Sequence, residues 1–146
     1  MVWLIFAFIV YSAMFLLVPL KKIKRTWFCG LISLIILLII DNTFINLGAF
    51  EYINMKWIIW HIPLFYWLSG FPAGIILFHF YPKKVFWQLP YIVFMTLIFL
   101  AIEFLMIWLG YFEHINWSGI NSFVLNICGF IITIWNTQWI MNQLKK

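Results

Sequence analysis

The 146-residue chain is 66% hydrophobic, only 9% charged, and carries a formal net charge of +5. A soluble domain of this size would leave much of that apolar surface facing water, so the composition excludes a water-soluble globular protein and points to lipid as the solvent. The excess of positive charge is therefore read as a topology signal and not as a nucleic-acid footprint, and no nucleic-acid partner is expected.

A spanning helix needs roughly 20 mostly apolar residues. Five stretches qualify in chain order: about 2–20, 27–48, 57–81, 86–109 and 118–140. The expected fold is all-α, an integral membrane five-helix bundle forming a single transmembrane domain over residues 1–146. The first stretch has no basic segment before it and no small-x-small cleavage signal, so it reads as a retained helix and not a signal peptide. Lys21, Lys22, Lys24 and Arg25 follow it, Lys83 and Lys84 follow the third, and Lys145 and Lys146 follow the fifth. Only Lys56 falls on the opposite side. By the positive-inside rule the N-terminus lies outside and the C-terminus in the cytoplasm of a multi-pass cell-membrane protein. Trp3, Trp27, Trp57, Trp60, Trp87, Trp108, Trp117 and Trp139 sit near predicted span ends, where headgroup-level aromatic belts form.

Asp41 and Glu103 fall inside spans two and four. A charge near the bilayer centre costs a few kcal/mol even on lenient scales, so such residues usually have a partner or a task. Both spans run outward, and both acids lie just past the midpoint, at one depth in the outer half. Asn42, Asn46, His61, Ser122 and Asn126 are expected near the same level. Together they define a candidate polar cluster or ligand site, with Asp41 and Glu103 as the candidates for catalysis. Thr96, Glu103 and Gly110 recur every seven residues and predict that Glu103 points into the bundle. Ser122, Asn126, Gly129, Thr133 and Asn136 predict a helix-packing seam on span five. Gly70 and Gly74 read as a close-packing GxxxG, and Pro72 as a bend in span three. No Cys/His metal spacing exists, Cys29 and Cys128 read as packing residues too different in depth to pair, and no metal or cofactor is expected.

Asp41 and Asn42 on span two, Tyr81-Pro82-Lys83 closing span three, Pro90-Tyr91-Ile92 opening span four, Glu103 with Gly110, and Trp117 form a further pattern. Over about residues 41–143 it resembles an uncharacterised family of small multi-spanning membrane proteins from spore-forming Gram-positive bacteria. The resemblance implies a bacterial plasma membrane and emphasises Tyr81, Pro82, Glu103, Gly110 and Trp117. The chain lacks the Pro-x-Glu signature of small membrane-embedded carotenoid cyclases, having Ala101 and Ile102 before Glu103. Three function classes follow. The leading one is a binding or accessory subunit for a lipid, a small ligand or a partner protein, with membrane lipids and a homo-oligomer or partner membrane protein as its company. The second is an oligomeric transporter of a proton, cation or small solute. The third is an intramembrane enzyme acting on a lipid or isoprenoid.

Overall fold

The computed structural model describes residues 1–143, so Lys145 and Lys146 lie outside the described residues. The architecture is all-α with five helices: α1 Val2–Leu17, α2 Leu20–Asn46, α3 Leu64–His79, α4 Val85–Trp108 and α5 Gly119–Gln143. Three of them, α2, α4 and α5, are long and apolar enough to cross a membrane. The other two, α1 and α3, have 16 residues each. At about 1.5 Å per residue that is roughly 24 Å, short of a hydrocarbon core of about 30 Å.

Prolines set both short lengths. Val18 precedes Pro19 and is forced extended (φ −114°, ψ 119°), which ends α1 three residues before the predicted limit. Pro19 then caps α2, so the basic stretch expected as a connection is the first turn and a half of that helix, set off by a kink at Thr26. The third predicted span, 57–81, is corrected further. Pro63 cannot continue a helix backwards and caps α3, leaving 57–63 as a tight hairpin. Its strands, β2 (Ile58–Ile59) and β3 (Ile62–Pro63), flank Trp60 and His61, both with positive φ.

α3 is the hub of the bundle, packing on α1 and α2, while α5 bridges α2 and α4. Gly74 fits against Cys29 and Ser33 with no room for a β-carbon, and Gly30 fits under the Phe71 ring, so the glycines serve close packing. Pro72 removes the amide that would bond the Leu68 carbonyl, and the Tyr11 phenol donates to that carbonyl instead at 3.2 Å.

At the end opposite the basic segments, α2 and α4 stop in the same way. Gly48 and Gly110 adopt left-handed conformations (φ 69° and 73°), and the following amides of Ala49 and Tyr111 bond the carbonyls of Phe44 and Met106. This is the Schellman geometry, which glycine adopts without the penalty a β-carbon would bring. Each turn leads into a three-residue strand, β1 (Phe50–Tyr52) and β4 (Phe112–His114), which pair antiparallel with Glu51 opposite Glu113. Gly110, expected to share a face with Glu103 and Thr96, therefore lies beyond the helix and serves as its cap.

Candidate functional site at the strand end

The two acids converge. Asp41 from α2 and Glu103 from α4 line one cavity of about 60 Å3, enough for ordered water. Ser122 and Asn126 of α5 line it too. The remaining wall is largely aromatic: Trp3, Phe6, Phe50, Tyr52, Tyr66, Phe99 and Phe112. Asn42 is half-buried, Asn46 and His61 are exposed, and none of the three lines the cavity. For His61 the reason is Pro63, which ends the helix that was to carry it and leaves the imidazole in the hairpin turn.

Each acid is held by a residue from the strand pair. The Tyr52 phenol donates to Asp41 Oδ2 at 2.6 Å, with both residues more than nine-tenths buried. Burial pushes the Tyr52 phenol well above its ordinary pKa, and the neighbouring Asp41 carboxylate pushes it the same way. Tyr52 therefore remains a donor at any physiological pH. Glu103 Oε1 receives two partners, His114 Nε2 at 2.7 Å and Ser122 Oγ at 2.6 Å. Ser122 in turn accepts from Trp117 Nε1 at 2.8 Å. Side chains of Glu103 and His114 retain 16% and 15% exposure, so this arm is wetter than the Asp41 arm.

A serine, a histidine and an acid thus meet, but in the wrong order for nucleophilic catalysis. Both Ser122 and His114 bond the carboxylate, whereas an activated serine needs the imidazole next to its hydroxyl. Among the described residues no group of three or more His, Cys, Asp or Glu could hold a metal ion.

Tyr52, Tyr66, His114 and the buried Trp3 were not expected here. Trp3 and Trp117, assigned to interfacial belts by position, pack within the strand end: Trp3 lies edge-on to Tyr52, Tyr66 and Tyr111, and Trp117 is tilted against Phe44 and edge-on to Phe50. One signal in the sequence points to them. The segment Leu47-Gly48-Ala49-Phe50-Glu51-Tyr52-Ile53-Asn54 recurs 62 residues later as Leu109-Gly110-Tyr111-Phe112-Glu113-His114-Ile115-Asn116. At the same offset Ile40-Asp41 matches Ile102-Glu103, and the bounds of α1 match those of α3. Tyr52 and His114, each 11 residues after its acid, are equivalent positions in the repeat.

The repeat also accounts for its own shared residues. Ile53 N donates to the Tyr111 carbonyl at 2.9 Å, and Ile115 N to the equivalent Ala49 carbonyl at 3.0 Å. Asn54 Nδ2 reaches the Gly110 carbonyl at 3.5 Å, and Asn116 Nδ2 the Gly48 carbonyl at 3.4 Å. Every one of these bonds crosses from one copy to the other. A local two-fold axis therefore passes between Glu51 and Glu113, above the cavity that the two acids share.

No protein-family model, curated protein or solved structure matches this chain. The function has to be argued from the site.

Proposed function

We propose that the protein is an integral membrane protein of a bacterial plasma membrane whose outer-half cavity binds a small ligand or lipid. In this reading all five helices span, with the N-terminus and the strand pair outside and the basic ends of α2 and α4 in the cytoplasm. The short α3 is compatible with spanning because the β2–β3 hairpin that precedes it pairs part of the adjoining backbone. Membrane-impermeant amine labelling of intact cells should then modify Lys56 and spare Lys83 and Lys84.

A single observation carries the binding reading. Two carboxylates, from α2 and α4 on either side of α5, line one largely aromatic cavity, and His114, which bonds Glu103, is not part of its wall. Acids placed only for helix packing would be expected to bond each other or a neighbouring helix. Asp41 is instead held from the strand side by Tyr52, and Glu103 is held by His114 from the strand side as well as by Ser122 of α5. Gentle extraction followed by native mass spectrometry tests the idea. A bound species should accompany the parent protein and be lost in Asp41→Asn and Glu103→Gln variants that still fold. Retention of the same species by both variants would end the reading. Glu103-dependent flux in proteoliposomes, or an altered membrane-lipid profile, would replace it with transport or catalysis.

A further inference from the structure

The cavity does not end at the acids. It shares Phe6, Tyr66, Phe99 and Ile102 with a second, almost wholly apolar cavity of about 140 Å3. Val10 of α1, Leu37 of α2, Ser69, Gly70, Ala73 and Ile76 of α3, and Met95 of α4 complete that wall. It exists because α4 packs its backbone on α5 and not on α1 or α3. Towards the basic end α4 touches α3 mainly through side chains, as where the Tyr91 phenol donates to the Leu77 carbonyl at 2.7 Å. A cleft is left between α1, α3 and α4, floored by Leu37 of α2 and adjoining the carboxylate cavity through the four shared side chains.

The two compartments ask for different chemistry. The upper one presents two carboxylates and the faces of several aromatic rings with no basic residue on its wall, a combination that attracts an organic cation. Trp3, 6% exposed, is part of this wall and also borders a cavity beside Asn54 and Lys56, and its buried indole N–H has no partner among the described residues. The lower compartment offers almost only hydrocarbon contact, since the Ser69 hydroxyl on its wall already donates to the Tyr66 carbonyl. A phosphate-bearing head would be repelled by the acids, and a purely polar ligand would leave the cleft unfilled.

We propose that the site takes a membrane-dissolved cationic amphiphile without a phosphate. Its ammonium head lies between Asp41 and Glu103, an oxygen beside the ammonium accepts from Trp3 Nε1, and the first part of its tail occupies the cleft between α1, α3 and α4, the remainder lying in lipid. This rests on the binding reading above and adds the ligand class to it.

The probe is N-dodecylethanolamine, added to the full chain in nanodiscs and followed by thermal shift and by equilibrium binding. It should bind and stabilise the protein. Asp41→Asn and Glu103→Gln should each weaken binding by about ten-fold or more, the scale of one desolvated charge contact. Val10→Trp, which plugs the cleft from α1, should weaken the dodecyl probe but leave binding of N-methylethanolamine, the head alone, unchanged. Met95→Trp plugs the same cleft from α4 and stands in if Val10→Trp does not fold. Equal binding of dodecanoate or dodecanol would overturn the cationic head. Equal affinity for N-methylethanolamine would overturn the tail site. If no probe binds while a co-extracted species still depends on Glu103, the ligand class is wrong and the binding site stands. If neither holds, both readings fall together.

Discussion

The two copies of the repeat share a backbone and differ in chemistry. Their helix caps, strand register and cross-copy bonds agree to about a tenth of an ångström. Their acids do not behave alike. Asp41 is 6% exposed and holds one phenol, whereas Glu103 is partly open and gathers an imidazole, a hydroxyl and, through it, an indole. A duplicated frame thus supports one dry, sparsely bonded acid and one wet, multiply bonded acid at the same cavity. The comparison separates what the fold requires, which is common to both copies, from what the site requires, which is not.

Truncating the acids should break the symmetry most. Asp41→Ala would strand the buried Tyr52 hydroxyl and should destabilise the protein by about 2–3 kcal/mol in detergent unfolding. Glu103→Ala should cost about 1 kcal/mol, because water can reach His114 and the buried Ser122 hydroxyl keeps its Trp117 donor. Equal losses would mean that the exposure difference has no energetic meaning. Next come the caps. Gly48→Ala and Gly110→Ala should each cost about 1–2 kcal/mol, and should match one another, since both residues are left-handed with open space around the added carbon. Unequal effects would show that the two frames are not equivalent.

Alkaline titration gives a smaller, directional contrast. The Tyr52 phenol has its pKa raised in the folded protein, so its contribution is intact below the ordinary tyrosine value and declines as pH rises past it, when only the unfolded chain releases that proton. Tyr52→Phe should flatten that decline above about pH 10, while His114→Phe should leave it in place. The smallest effect belongs to the cross-copy asparagines, whose bonds are long and exposed. Asn54→Ala and Asn116→Ala should each cost about 0.5 kcal/mol, measurable chiefly as a loss of amide-exchange protection at the strand end.

Much of the bundle was legible from hydropathy, because length and apolar composition alone specify α2, α4 and α5. The limits of α1 and α3 required weighing Pro19 and Pro63, whose rings fix the preceding residue out of the helical region. Hydropathy cannot see this, since Ile62 and Val18 are as apolar as any helical neighbour. Of the residues that depth arithmetic groups, Asp41, Glu103, Ser122 and Asn126 line one cavity. Asn42, Asn46 and His61 do not, the last because it sits in a turn. The strand pair escaped notice because three residues are too few to show alternation. Its signal was the repeated Leu-Gly-x-Phe-Glu-x-Ile-Asn, which is visible only when the chain is compared with itself. That comparison would also have paired Tyr52 with His114, and hence each acid with its donor.

The pairing of β1 with β4 also governs the order of assembly. Tyr52 can meet Asp41 soon after α2 forms, since only 11 residues separate them. Phe112 and the Glu113 ladder come a full repeat later, so β1 has no partner until α4 has been made and its far end delivered to the same side. Until then the aromatic rings above Asp41 lack their opposite wall, and the half-site is an open cup. The last loop to emerge therefore completes the aromatic roof, α5 closes the remaining wall with Ser122 and Asn126, and a chain stalled before residue 112 would carry its first acid under an unfinished roof.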